Sequence, residues 1–125
     1  MKSSILFALA LSLVACSKDP PTAMGVCKKL EETGVASKCE SRAPSGIGAA
    51  AIEAADFRLA NGEGAQVLTF RTAGDLEATE SAFTAAAVLA GPHRYSSKEA
   101  LVFVQMNLSA SKAEAEKVQS VLSDL

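Results

Sequence analysis

The sequence predicts an α+β domain: a small, mainly antiparallel sheet of three or four strands, with two helices on one face and an N-terminal helix stapled by a disulfide. Three observations lead to this prediction. Apolar and polar residues alternate on both sides of the turn sequence NGEG, which is typical of a β-hairpin. Two segments carry apolar residues at helical spacing behind capping residues. The continuous apolar run ALVFVQM is typical of a strand covered on both faces.

Length and composition indicate one domain. The 125 residues are 49% hydrophobic and only 5% aromatic, and tryptophan is absent, so Leu, Val, Ala and Phe must form the core. The formal net charge is -2, and no segment gathers Lys and Arg. Because binding to nucleic acid requires such clusters, the sequence argues against a nucleic acid partner. We expect residues 23–125 to form the domain.

The first predicted helix covers the sequence AMGVCKKLEET. Thr22 precedes it as an N-cap hydroxyl, and Gly34 suits the left-handed residue that ends a helix. The apolar face of this helix consists of Ala23, Val26, Cys27 and Leu30.

Cys27 and Cys39 are predicted to form a disulfide. The helix rises about 9 Å from Cys27 to Thr33, and an extended segment over residues 35–39 can return by up to about 16 Å. The two Cα atoms can therefore come within the roughly 7 Å that a disulfide requires. A redox-active pair is disfavoured, because catalytic dithiols usually lie two residues apart at a helix start. Free or metal-bound thiols are the remaining alternative.

A β-hairpin is predicted next, after a Gly- and Pro-containing loop over residues 40–54. Phe57 and Leu59 alternate with Asp56 and Arg58 before NGEG. After it, Leu68 and Phe70 alternate with Val67, Thr69 and Arg71. NGEG is not read as a phosphate-binding loop, because it lacks Lys and joins two strands.

A middle helix is predicted from Ala73 or Asp75 to Ala90. Thr72 and Asp75 resemble a capping box, and Gly91 with Pro92 would end the helix. One face of this helix carries Leu76, Phe83, Ala87 and Ala90.

The last part of the domain is predicted to be two strands and a helix. HRY is expected as a short strand, SSKE as a turn and ALVFVQM as the main strand. Ser111 and Glu114 form a capping box that opens the final helix. Its buried stripe is expected to be Ala115, Val118, Val121, Leu122 and Leu125. The order strand, strand, helix would then occur twice.

The N-terminus has the pattern of a signal sequence. MKSS supplies one positive charge, and the apolar run over residues 5–15 is shorter than the about 20 residues of a membrane span. The residues LVAC, from Leu13 to Cys16, resemble the lipobox of bacterial lipoproteins, in which apolar and small residues precede a cysteine. An ordinary secretory signal cut after a small residue is the alternative. The resemblance covers about the first 17 residues.

The resemblance implies a processed and acylated chain. Residues 1–15 would be the signal peptide, cut between Ala15 and Cys16, with diacylglycerol on the Cys16 thiol and an acyl group on the new amino terminus. The acyl chains of these groups together give a stable membrane anchor. Residues 16–22 would be the lipidated cysteine and its Pro-containing tether. Ser17 after the cysteine, rather than Asp, favours the outer membrane, facing the periplasm.

Few residues in the domain suggest chemistry. His93 is the only histidine, and no carboxylate stands near it at metal-ligand spacing. His93, Arg94, Tyr95 and Ser96 lie together with Ser97 and could form a small polar site, although the strained turn of a nucleophilic serine is absent. No catalytic residue, metal or cofactor is predicted.

Three functions therefore compete. The first is a lipid-anchored, non-catalytic binding module in which a sheet face or a helix groove meets another envelope protein or a small ligand. The second is an envelope enzyme or enzyme accessory with its site around His93. The third is a membrane-tethered spacer, against which a large exposed apolar patch would argue.

Overall fold

The computed structural model describes residues 19–86, 92–106 and 110–125, and these form an α+β fold. The helices are α1 (Ala23–Glu32), α2 (Ala73–Ala85) and α3 (Lys112–Ser123), with a short 3-10 helix at Gly46–Gly48. The strands are β1 (Ser37–Arg42), β2 (Glu53–Arg58), β3 (Gly64–Thr69), β4 (Arg94–Ser97) and β5 (Val102–Gln105). They form an open sheet in the order β1-β2-β3-β5-β4, with every neighbouring pair antiparallel. None of the helices in the described ranges is long and apolar enough to cross a membrane.

Helix α1 begins and ends where the sequence predicts. The Thr22 hydroxyl accepts a hydrogen bond from the Gly25 amide at 2.9 Å, and Gly34 has the expected left-handed conformation, with φ of 83°. All four residues of the predicted apolar face are buried. The predicted disulfide is confirmed: Cys27 and Cys39 are bonded, and their Cα atoms lie 6.0 Å apart. The bond joins α1 to strand β1.

The predicted hairpin is confirmed as β2 and β3, in register from Glu53 opposite Thr69 to Arg58 opposite Gly64. Gly62 takes a φ of 86° in the connecting turn, a conformation that a side chain would strain. The Leu59 amide donates to the Glu63 carbonyl at 2.9 Å, which closes the loop.

The sheet is covered on both faces, which corrects the predicted placement of the helices. Helices α1 and α3 pack on one face, against Phe57, Val67 and Val104 among others. Helix α2 packs on the opposite face, where Leu76 and Phe83 contact Leu68 and Phe103. The prediction that the two longer helices share a face is therefore wrong. The physical reason is that the central strands carry adjacent apolar residues, such as Val67 and Leu68, which point to opposite faces and each need cover.

The sheet has five strands rather than the predicted three or four. The additional strand is β1, for which the sequence predicts extended chain and loop. Its sequence, SKCESR, has little apolar content, and no residue of the strand is fully buried. β1 is an edge strand whose pairing with β2 shifts between Ser37 and Glu40, where Lys38 takes a φ of 55°. An irregular, polar edge of this kind carries none of the alternation from which strands are predicted.

The remaining elements follow the predicted order. The Thr72 hydroxyl accepts from the Asp75 amide at the start of α2, and residues 87–91, with the predicted end of this helix, lie outside the described residues. The Ser111–Glu114 capping box of α3 is confirmed, with both of its hydrogen bonds present. Strand β5 is buried throughout. Two ββα units therefore occur, although their helices lie on opposite faces.

Candidate functional site

A row of polar residues crosses all five strands on the face that carries α2. The register places these residues opposite one another on neighbouring strands, and cross-strand partners project from the same face. In sheet order the row consists of Glu40, Asp56, Gln66, Gln105 and Arg94, and we call it the polar row. Toward the start of β2, the next row on this face is apolar at Ala54, Leu68 and Phe103, and α2 covers it.

Arg42 of β1 holds the exposed side of the polar row together. Its Nε donates to both carboxylate oxygens of Asp56, at 2.8 and 2.9 Å. Its Nη2 donates to Oε1 of Gln66, and its Nη1 donates to the Ala43 carbonyl at 3.2 Å. One guanidinium therefore links β1 to both β2 and β3. The Arg42 side chain is 30% exposed and that of Asp56 is 49% exposed, so the pair lies at the surface.

Four members of the polar row, Glu40, Asp56, Gln66 and Gln105, line a cleft of about 600 Å³. Its other lining residues include the bases Lys38 and Arg58, and Phe83 of α2 forms part of its wall. Gln105 is only 5% exposed and donates from Nε2 to the Met106 carbonyl at 2.9 Å, which fixes its amide. The lining thus combines a hydrogen-bonded amide with charged groups of both signs.

The cleft lies at one end of the sheet, opposite the end where the domain begins. We call the end that contains Glu53 and Thr69 the tether end, because Oε1 of Glu53 accepts from the amide of Ala23, the first residue of α1, at 3.2 Å. The end that contains Arg58 and Gly64 is the distal end. Arg58 and Gly64 both line the cleft. Five residue steps along β2 separate the two ends by about 17 Å.

The residues of the possible polar site around His93 do not all share one face. Strand β4 alternates, so Arg94 and Ser96 project with the polar row and Tyr95 projects to the side of α1 and α3. The His93 Nδ1 lies 3.4 Å from the Tyr95 hydroxyl, which places its ring on the Tyr95 side. Arg94, Tyr95 and Ser96 nevertheless line one cavity of about 800 Å³ beside α3, and His93 is not among its lining residues. By the strand register, Arg94 also belongs to the polar row.

The other predicted residues divide into two groups. Ala15 and Cys16, with the whole lipobox, lie outside the described residues, so the signal and lipidation site stay predictions. Cys27 and Cys39 are joined in the disulfide and do not face the cleft. Within the described part of the chain, no group of three or more His, Cys, Asp or Glu residues is placed to hold a metal ion.

Comparison of the chain with protein-family models, with curated proteins and with solved structures finds no match. Sequence reasoning missed the polar row. The alternation of Asp56 and Arg58 with Phe57 marks a polar side of β2, but only the strand register shows that Glu40, Gln66 and Arg94 continue it across the sheet.

We expect the Arg42–Asp56 contact to contribute measurably to stability. A double-mutant cycle with Arg42→Ala and Asp56→Ala should give a coupling free energy of about 0.5–1 kcal/mol, as for well-placed surface pairs. The control is the cycle for Lys112 and Glu116, which are 92% and 64% exposed and 4.0 Å apart; their coupling should be about 0.3 kcal/mol or less. Urea unfolding measures both, and equal couplings would contradict the proposed link between strands.

Proposed function

We propose that the chain is a lipid-anchored envelope protein whose domain is a non-catalytic binding module. The observation that carries this proposal is the polar row, which crosses the sheet beside the part of the face that α2 covers. Glu40 is exposed, and Asp56 and Gln66 are half-buried. Arg42 donates hydrogen bonds to four groups: the Asp56 carboxylate, the Ala43 carbonyl, the Ser45 hydroxyl and the Gln66 amide oxygen. A sheet face that was only solvated would not require an arginine held in this way.

The charged lining of the cleft favours the surface of another protein as its binding partner. Sites for small molecules are usually enclosed and mostly apolar, with few polar groups. Here the charged lining residues are Lys38, Glu40, Arg42, Asp56 and Arg58. Such a mixture of donors and acceptors in a shallow depression suits the polar rim of a protein interface. We therefore take another envelope protein as the partner, with no cofactor involved.

The anchor in this proposal is the lipidated Cys16. The lipobox resemblance, the apolar segment before it and the Pro-containing tether after it support the assignment. Ser17 supports the outer membrane, with the domain in the periplasm. The disulfide is consistent with an oxidising compartment.

Replacing Cys16 with Ser is expected to abolish lipidation and leave residues 1–15 attached, because the thiol that carries the lipid is gone. Metabolic labelling with a fatty acid measures the first effect, and the mass of the isolated protein measures the second. The disulfide variant Cys39→Ser is the control, and it should still be labelled. Fatty acid labelling of the Cys16→Ser variant at the unaltered level would refute the anchor.

The binding surface can be tested by site-specific photo-crosslinking in the native envelope. A photoreactive amino acid replaces Glu40 at the exposed end of the polar row, or Gln119 on the exposed side of α3. We expect a discrete protein adduct from position 40 only, and we expect Arg58→Ala to reduce it. Adducts from position 119 alone, from neither position or from both equally would contradict the assignment of this surface.

A further inference from the structure

The tether end of the domain is defined by the contacts of Glu53. Its Oε1 accepts from the Ala23 amide at 3.2 Å and from the Thr69 hydroxyl at 3.1 Å. The start of α1 is therefore fixed to the ends of β2 and β3. Pro20 and Pro21, which precede α1, lie with Leu101 and Leu125 around a second cavity at this same end. The described part of the chain thus begins at the tether end, three residues after Cys16, the proposed lipid attachment point.

The large apolar side chains that the described residues leave exposed are found at this end. Ile47 is 44% exposed and Ile52 is 51% exposed. Both lie in the connection from β1 to β2, which begins after Arg42 and ends before Glu53. The Ile52 amide donates to the Thr69 carbonyl at 2.8 Å, and Ile52 lines a small cavity with Ala23 and Met24. These two isoleucines, which we call the isoleucine pair, therefore lie in the connection at the tether end, and Ile52 is the one beside the start of α1.

The length of the tether limits how far this end can lie from the membrane. Six residue steps separate Cys16 from Thr22, and a fully extended chain spans about 20 Å over that length. Lipidation at Cys16 would hold the tether end at a high effective concentration near the bilayer. Under this restraint a weak apolar contact is enough to select one orientation, although it would not bind the domain by itself.

We propose that the tether end rests on the lipid surface, with the isoleucine pair inserted at the boundary between headgroups and acyl chains. This inference depends on the proposed lipid anchor. The bilayer is the occupant that the arrangement indicates, because the exposed apolar side chains and the departing tether share one end. The distal end, with its charged cleft, then faces away from the membrane, about 17 Å further along the strands. A partner in the periplasm can reach the polar row in this orientation.

Tryptophan fluorescence can test the orientation, because the chain contains no tryptophan and one tyrosine. The lipidated protein is reconstituted in vesicles of phosphatidylethanolamine and phosphatidylglycerol that contain brominated acyl chains, which quench tryptophan. One variant carries Ala49→Trp, between Ile47 and Ile52. The matched control carries Ala60→Trp in the distal hairpin turn. Ala49 and Ala60 are both exposed.

We expect quenching of the Ala49→Trp variant to exceed that of the Ala60→Trp variant by at least about threefold, as for a side chain at the interface. Adding Ile47→Ser and Ile52→Ser to Ala49→Trp should remove most of this difference. Equal quenching at positions 49 and 60, or quenching at position 49 that persists without the isoleucines, would overturn the inference.

Flotation of the same samples separates this inference from the anchor. If the protein is not lipidated, both tryptophan variants fail to float with the vesicles, and the anchor itself is refuted. If both float but are quenched alike, the anchor stands and the orientation is wrong.

Discussion

Replacing Phe103 with Ala is expected to lower the free energy of unfolding by about 3–5 kcal/mol, the range for large-to-small changes at fully buried aromatic residues. Phe103 has no exposed surface and lies in the core between the sheet and α2. Its ring centroid is 5.3 Å from that of Phe83. Truncation would remove this contact and leave a cavity beneath α2. Leu76 and Phe83 are the large apolar side chains that α2 packs against this face of the sheet.

Two further variants test this explanation by urea unfolding. Phe103→Leu keeps most of the apolar volume and should cost clearly less than the Ala variant. Ile47→Ala also truncates a large apolar side chain to Ala, but one that is 44% exposed, and we expect a loss of about 0.5 kcal/mol or less. If Phe103→Ala cost no more than Ile47→Ala, α2 would not be packed against the sheet as described.

Removing the disulfide is expected to cost about 3 kcal/mol, the value of the chain-entropy account for a loop of this size. Cys27 and Cys39 are 12 residues apart in sequence, and the double variant Cys27→Ala, Cys39→Ala frees that loop without leaving thiols. β1 is an edge strand, and the disulfide fixes it to α1. Lys38 and Glu40, on either side of Cys39, line the cleft. We therefore also expect the double variant to weaken the adduct from position 40.

The wild-type protein under reducing conditions controls for the side-chain changes. Its urea midpoint should fall close to that of the double variant, whereas the oxidised protein should unfold at a clearly higher concentration. If oxidised and reduced proteins differed by less than about 0.5 kcal/mol, the disulfide would not be a structural staple.

Elements with a strong local signal could be predicted from the sequence. The cap at Thr22 and the capping box at Ser111 and Glu114 begin α1 and α3 as expected. The disulfide followed from the reach of the chain between Cys27 and Cys39, which involves few residues. In each case a short stretch of sequence contains the physical determinants of the structure.

Features that depend on distant parts of the chain could not be predicted. Strand β1 is stabilised by pairing with β2 and by the Arg42–Asp56 contact, and neither is visible in SKCESR. Both faces of the sheet carry apolar residues, and α2 packs on the face that α1 and α3 leave uncovered. The sequence of α2 alone does not specify which face that is. The polar row depends on the register of five strands, and a shift by one residue would move its members to the other face.

The mass of the mature N-terminus, determined on protein isolated from its own membrane, tests the central claim most directly. We predict a chain that begins at Cys16, with residues 1–15 removed, a diacylglycerol group on the Cys16 thiol and an acyl group on its amino nitrogen. An unmodified N-terminus, or a Cys16 thiol that reacts with an alkylating reagent, would contradict the account of a lipid-anchored binding module.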